Sequence, residues 1–497
     1  MLNTLPTAFM QIQASSRACL SRYKSTFAAM LATPMLLCAD MSLAAPDLNA
    51  LLKRMTLEEK IGQLQQSHIE VSKVEEIPAD IKAAIKAGRV GSYLNANNRE
   101  VANELQRIAL EESKHGIPLL IARDVIHGYK TIFPIPLGQA ASWNPDIVEQ
   151  GARIAAIEAS ADGIRWTFAP MVDISRDARW GRIAESFGED PYMNAVMGVA
   201  SVKGYQGDDL SEPTAIASTV KHFIGYGAAE AGRDYNTTYI PEPLLHNVYL
   251  EPFTATAKAG AASMMTAFND LNGVPASINK YTMDTILRKK LGYDGVLVSD
   301  WDSVIETVVH GGAEDQRDAA RLAAIASLDM EMVSTSFQNH LASLVKDGEV
   351  SEKLIDEKVM RILKLKAELG LFEQAYTDAS RSEMIKHPSF RPVAEQASAE
   401  SLVLLKNEGV LPLQAGQKIA LIGPLADAAH DQMGTWVLDG DKTYSVTVLD
   451  AFEGMKGLRY ERALEHSRTE SHKGFKKALR AAKKADVIVY VGGEEAA

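Results

Sequence analysis

The sequence predicts an α/β protein, in which a (β/α)8-type TIM barrel precedes a second, smaller unit. From Leu48 onward, short apolar segments alternate with helical stretches, which is typical of β–α–β units and a parallel sheet. A polar cluster directly follows each apolar segment, as the catalytic face of a barrel requires. The doubly wound alternative favours a glycine-rich phosphate turn, and the sequence has no such pattern.

Five apolar segments are the candidate barrel strands. They are Pro118 to Ala122, Thr167 to Val172, Ala217 to His222, Ala262 to Phe268 and Gly295 to Ser299. The polar residues at their ends are Arg123 and Asp124, Asp173, Lys221 and His222, Asn269 and Asp270, and Asp300. Because the carboxyl ends of parallel strands meet on one face of a barrel, we expect these side chains to surround a common site.

Residues 1–45 are interpreted as a secretory signal peptide, which predicts a periplasmic or secreted protein. Arg17, Arg22 and Lys24 precede an apolar run, and Ser42 to Ala45 supplies the small residues of a cleavage site. The alternative is an N-terminal helix of the mature fold. Both cysteines of the chain lie in this segment, so we expect the mature protein to contain no disulfide bond.

Three further segments follow the signal peptide. Residues 46–373 are assigned to the barrel, residues 374–392 to a polar linker broken by two prolines, and residues 393–497 to a second unit. In this second unit we expect a helix from Val393 to Asn407 and the strands Ile419 to Ile422 and Val487 to Val491.

Composition narrows the class of ligand. The chain of 497 residues carries 64 acidic and 52 basic residues and a formal charge of −12, which argues against binding nucleic acid or an anionic membrane. Beyond the leader, no stretch reaches the roughly 18 apolar residues of a membrane span. The sequence also lacks paired-cysteine and H-E-x-x-H metal patterns and the G-x-S-x-G serine elbow. Carboxylates are therefore the candidates for catalysis of a reaction on a neutral or small polar ligand.

Asp300 is the leading candidate, since it follows the apolar segment Gly295 to Ser299 and precedes Trp301. A carboxylate at the end of a buried strand is placed to act as a nucleophile, and a tryptophan offers a flat platform for a sugar ring. Alternatively, Asp300 caps a helix that starts near Asp302. Lys221 and His222 could donate hydrogen bonds to hydroxyls or simply end a strand, and Asp124 could cap a helix.

Several motifs, taken in order, resemble glycoside hydrolase family 3, particularly its bacterial periplasmic β-glucosidases. The motifs are Thr56 to Gln63, Asp124 to Gly128, Arg179 to Arg182 with Glu185 to Asp190, Lys221 to Phe223, Gly232 to Asn236, Val298 to Trp301, and Leu404 to Leu413. The resemblance covers most of the chain. It implies a (β/α)8-type TIM barrel followed by an α/β (αβα) sandwich domain, expected to be incomplete over residues 393–497, and a retaining, exo-acting β-glucosidase that needs no cofactor.

The resemblance also implies roles for individual residues. Asp300 matches the nucleophile that forms the covalent glycosyl-enzyme. Asp124, Arg182, Lys221 and His222 would hydrogen-bond the terminal glucose, while Met265 and Trp301 would line the pocket. Such bonds fix the ring and strengthen in an oxocarbenium-like transition state. A surrounding network that orients Arg182 is expected from Arg179, Glu185, Glu189 and Asp190.

A retaining mechanism also needs a second carboxyl group about 5–5.5 Å from the nucleophile. In the family this glutamate lies in a loop beyond the strand that resembles Val491 to Glu495, and the sequence stops before it. Glu494 and Glu495 come too early in the motif. We therefore expect slow turnover on natural disaccharides, and an unpaired apolar strand edge from Ile488 to Val491.

Two other functions stay open. One is a sugar-binding remnant that does not turn over. The other is an N-acetyl-β-hexosaminidase of the same family, which uses a barrel-loop histidine as its acid/base. The segment Ile224 to Glu230 lacks the aspartate and histidine arrangement expected for that enzyme.

Overall fold

The computed structural model describes residues 46–496, so the predicted signal peptide and both cysteines lie outside the described residues. A five-stranded and a three-stranded parallel sheet make up the first part of the fold. Isolated bridges between Trp166 and Ala217 and between Val298 and Met330 join the two sheets at both edges, so eight parallel strands close into a barrel. The strands are β1 (Gln65–His68), β2 (Ser92–Leu94), β3 (Leu120–Arg123), β4 (Trp166–Thr167), β5 (Thr219–Phe223), β6 (Ser263–Thr266), β7 (Val296–Val298) and β8 (Glu331–Met332).

The five strands predicted from apolar segments are confirmed as β3 to β7, with somewhat different bounds. Helices follow the strands and cover the barrel, as parallel strands with crossover connections require. The main ones are Leu48–Arg54, Leu57–Gln63, Ala79–Lys86, Arg99–Arg107, Pro136–Ala141, Pro145–Ala161, Pro191–Gln206, Glu251–Lys258, Tyr281–Lys290, Glu306–Val309, Gln316–Ile325, Ser336–Lys346 and Glu352–Glu368.

The segment expected to be a linker packs against the barrel. Thr377 and Asn103 exchange two hydrogen bonds of 2.9 Å, and the main-chain N–H of Lys386 donates to the buried Glu158 at 2.8 Å. The helix expected from Val393 to Asn407 instead spans Arg391–Glu400. The expected bounds are wrong because Asn407 Oδ1 accepts the N–H groups of residues 409–411, which folds that stretch into a turn rather than a helix.

A second parallel sheet follows, with strand order β10-β9-β11. Its strands are β9 (Ile419–Ile422), β10 (Leu458–Glu461) and β11 (Val487–Tyr490), and the helix Phe475–Ala482 packs on β9. Within residues 46–496, β11 pairs with β9 alone, and Ile488 and Tyr490 are exposed, as the sequence predicts. No helix in the described part of the chain has the length and apolarity needed to cross a bilayer.

Candidate active site

The candidate nucleophile Asp300 lies just beyond the carboxyl end of β7 and is only 8% exposed. Its Oδ1 accepts the main-chain N–H of Trp301 at 2.7 Å, while Oδ2 lies 3.3 Å from Nε2 of His222. The next helix begins at Glu306, and the Asp300 side chain does not cap it, so the capping alternative is wrong. Burial raises the pKa of Asp300 to about 6, against the opposing effect of the Arg182 and Lys221 charges.

His222 is fully buried on β5 and is oriented by Asp173. Asp173 Oδ2 accepts the main-chain N–H of His222 at 3.0 Å and lies 2.7 Å from its ring Nδ1. Burial lowers the pKa of His222 well below its usual value and raises that of Asp173 to about 8. Because Asp173 Oδ2 already accepts the main-chain N–H of His222, we assign the ring proton to Nδ1, and Nε2 is then an acceptor facing Asp300.

His222 Nε2 and Asp300 Oδ2 face each other, and both atoms are hydrogen-bond acceptors. Both atoms are buried, and neither has a hydrogen-bond partner among the described residues. Two acceptors 3.3 Å apart need a donor to satisfy them. A hydroxyl group is a donor of suitable size, so the pair is suited to a polyhydroxylated ligand.

Arg182 and Lys221 supply the positive charges beside Asp300. The guanidinium of Arg182 binds Glu185 with two bonds, of 2.7 and 3.0 Å. Lys221 Nζ lies 3.3 Å from Asp124 and 4.0 Å from Glu185. The structure therefore brings together Asp124, Arg182, Lys221, His222 and Asp300, and Asp124 serves as a lysine partner rather than as a helix cap.

The two residues expected to line the pocket have different environments. The Trp301 ring is 37% exposed and lies 5.0 Å from the ring of His68 at the end of β1. Met265 is buried within the barrel core, in register with Val298 of β7. Trp301 is thus accessible to a ligand, whereas Met265 packs with the apolar residues beneath the site.

The expected network around Arg182 is only partly correct. Glu185 is buried and holds the arginine, as predicted. Arg179 is instead largely exposed, and its side chain pairs with Asp177, two residues away, rather than with the network around Arg182. Asp190 caps the helix Pro191–Gln206 by accepting the N–H of Met193, and Glu189 is exposed. The prediction is wrong for Arg179 and Asp190 because a local ion pair and a helix cap satisfy their side chains first, and it is wrong for Glu189 because this residue is exposed.

Sequence reasoning missed a contribution from the second part of the chain. A loop at residues 434–441, after β9, places the Trp436 ring 5.5 Å from the Arg182 guanidinium and 5.6 Å from Lys221 Nζ. The main-chain oxygen of Thr435 lies 2.6 Å from Nε2 of His127. The loop therefore forms one wall of the site, although it is remote from the barrel motifs in sequence.

Aromatic side chains form another wall. Tyr226 packs edge-on to the His222 ring at 5.2 Å and lies below the Arg182 guanidinium at 5.6 Å. Phe268 contacts Tyr235 at 4.6 Å between ring centroids. Apolar walls with a few charged groups at the base are typical of a small-molecule site, and barrel enzymes place their sites at this end of the strands.

The family comparison agrees with this arrangement. Residues 56–365 match the model of the glycosyl hydrolase family 3 N terminal domain, and residues 402–497 match that of the C-terminal domain. The chain belongs to glycosyl hydrolase family 3. The resemblance noted from the motifs is thereby confirmed, together with the barrel and α/β domain order that it implied.

Similar proteins include enzymes named for glucosides and for xylosides. A periplasmic beta-glucosidase of Salmonella typhimurium is 37% identical, over 89% of this chain and 62% of that protein. A beta-xylosidase of Formosa agariphila is 32% identical, over 89% and 60%. A crystal structure of beta-glucosidase from Listeria innocua in complex with glucose matches with a TM-score of 0.85 and 38% identity, over 90% of this chain and 64% of that one. The chain thus spans less than two thirds of the length of each.

Proposed function

We propose that this chain carries the glycosyl-binding pocket and the nucleophile of a retaining, exo-acting β-glucosidase. The observation that supports it most is the buried Asp300 carboxylate, which has one oxygen fixed by the N–H of Trp301 and the other free of hydrogen-bond donors. An oxygen that is buried and unpaired is poorly solvated, so it gains by attack on an electrophilic carbon. The substrates proposed are β-glucosides and β-linked gluco-oligosaccharides.

The charged residues around Asp300 are proposed to recognise the terminal sugar. Asp124 and Lys221, which pair at 3.3 Å, can each bond a hydroxyl, one as acceptor and the other as donor. Arg182 is held in place by Glu185 and keeps its remaining N–H groups for a ligand. His222 Nε2 accepts from a hydroxyl near the reacting carbon. We propose that the Trp301 ring packs against the apolar face of a sugar and that Met265 lines the bottom of the pocket.

The reaction proceeds in two steps. Asp300 attacks the anomeric carbon, the bond to the leaving oxygen breaks, and a covalent glycosyl-aspartate forms; water then displaces the sugar with net retention. An acid/base carboxyl group protonates the leaving oxygen and later activates the water. Glu494 lies 3.7 Å from Arg468, and Glu495 accepts the main-chain N–H of Ser467. Asp300 supplies the nucleophile for these two steps.

A burst experiment tests the proposal. Stoichiometric protein is mixed with nitrophenyl β-glucoside, whose leaving group needs little acid assistance, with and without azide. We expect about one equivalent of nitrophenol at once, followed by slow turnover that azide accelerates. Nitrophenyl β-xyloside is the comparison substrate because one of the similar proteins is named a beta-xylosidase.

Two outcomes would count against the proposal. Folded protein that binds glucose but releases no nitrophenol, with or without azide, is a sugar-binding protein rather than a hydrolase. A faster burst with the xyloside, or with a nitrophenyl N-acetyl-β-glucosaminide, would reassign the substrate.

The periplasmic name of a similar protein supports a periplasmic or secreted location, which N-terminal sequencing of the exported protein would test.

A further inference from the structure

We propose that Asp439, outside the barrel, is a positioning residue that holds two walls of the sugar pocket in place. The inference rests on the proposed function, because it concerns the same pocket. Asp439 lies in the 434–441 loop, and its carboxylate is only 5% exposed. It is not expected to touch the sugar; it acts through the two neighbours described next.

The first neighbour is Arg123, the last residue of β3. Its Nε donates to Asp439 Oδ2 at 2.7 Å, and its Nη1 donates to Asn95 at 2.7 Å. The other carboxylate oxygen accepts from Nδ2 of Asn97 at 2.9 Å. Arg123 immediately precedes Asp124, so fixing the arginine also fixes the main chain that presents Asp124 to Lys221.

The second neighbour is the Trp436 ring, three residues before Asp439 in the same loop. This ring lies over both Arg182 and Lys221. Thr435 also anchors the loop, because its main-chain oxygen lies 2.6 Å from His127 Nε2, whereas the Asp441 side chain is 42% exposed and pairs with Lys386 Nζ at 3.3 Å. Asp439 is the residue that joins the loop directly to the end of a barrel strand.

The Asp439 carboxylate has two hydrogen-bond donors, Arg123 and Asn97, and also lies 3.7 Å from Lys130 Nζ, so one geometry satisfies all of its partners. Loss of its charge weakens the bond to Arg123 and leaves that guanidinium buried with a neutral partner. The loop that carries Trp436 and the turn that carries Asp124 then lose their common anchor. Sugar affinity falls because the pocket is less preorganised, although no group that contacts the sugar has changed.

The test compares Asp439→Asn with Asp441→Asn, a matched control in the same loop. The probe is isofagomine, measured by calorimetry, together with the burst rate on nitrophenyl β-glucoside. Asp439→Asn is expected to weaken isofagomine binding about tenfold, with a smaller effect on the maximal burst rate. Asp441→Asn is expected to leave both unchanged.

A double-mutant cycle separates positioning from general destabilisation. If Asp439 acts partly through Trp436, then Asp439→Asn weakens binding less in a Trp436→Ala background than in the wild-type protein. Additive losses, or wild-type affinity in folded Asp439→Asn, would overturn the proposal. If Asp439→Asn does not fold, Asn97→Ala is tested in its place, because it removes one hydrogen bond to the same carboxylate. This variant is expected to weaken isofagomine binding about threefold. Wild-type affinity in Asn97→Ala would also overturn the proposal. Wild-type protein that does not bind isofagomine would instead refute the proposed function.

Discussion

Replacement of Asp300 by asparagine is expected to stabilise the folded protein at neutral pH while abolishing the burst. The carboxylate is buried, and burial raises its pKa from 3.8 to about 6. The folded state therefore holds this proton more tightly than the unfolded state does. The stability that the protonated group contributes is fully present below pH 3.8 and is lost as the pH rises through about 6.

The size of the expected stabilisation follows from the difference between the pKa values of Asp300 in the folded and unfolded states. About two pKa units correspond to about 3 kcal/mol of unfolding free energy, lost by the wild-type protein between acid and neutral pH. Asparagine has nearly the same shape and no charge to bury. Asp300→Asn should therefore recover about 2–3 kcal/mol at pH 7.5 and almost nothing at pH 4.

Urea unfolding of wild type and variant at both pH values measures this difference. Asp441→Asn is the control, because its effect on stability at neutral pH is expected to be opposite to that of Asp300→Asn. Hydrogen bonds from Thr443 lower the pKa of Asp441 to about 2, so its loss should slightly destabilise the protein at neutral pH. A destabilised Asp300→Asn at pH 7.5, or an equal gain at both pH values, would refute the claim that the site holds a poorly solvated carboxylate.

Three further predictions concern the pocket. Arg182→Lys keeps the charge but cannot reproduce both bonds to Glu185, so isofagomine affinity measured by calorimetry should fall about tenfold; unchanged affinity would contradict the role assigned to the guanidinium. The burst rate should fall about tenfold per unit below pH 6, because Asp300 must be ionised to attack, and a flat stopped-flow profile would disagree. Trp301→Ala should weaken inhibitor binding about fivefold without unfolding, since the ring is 37% exposed.

The sequence predicted β3 to β7, each of which overlaps a mainly apolar segment of five to seven residues, and it missed β1, β2 and β8. β1 carries Gln65 and Gln66, and β8 begins with Glu331, all of them buried. Gln66 donates to Ser92 of β2 at 2.8 Å, and Glu331 accepts three hydrogen bonds from residues 334–337. Strands whose buried polar groups form hydrogen bonds inside the barrel therefore show no apolar pattern in the sequence.

The site was predictable to the extent that its residues end successive strands. Asp124, Lys221, His222 and Asp300 were found in this way, whereas Arg182 required the family motifs. Trp436 was missed because it reaches the barrel through tertiary contacts that no local pattern encodes.

Covalent labelling tests directly whether Asp300 is the nucleophile. The protein is incubated with a fluorinated dinitrophenyl β-glucoside, whose glycosyl-enzyme hydrolyses slowly, and is then analysed by intact mass and peptide mapping. We expect one glycosyl group per chain on the peptide that contains Asp300, and no label in Asp300→Asn. Label on another residue that persists in Asp300→Asn, or no label on protein that binds isofagomine, would show that Asp300 is not the nucleophile.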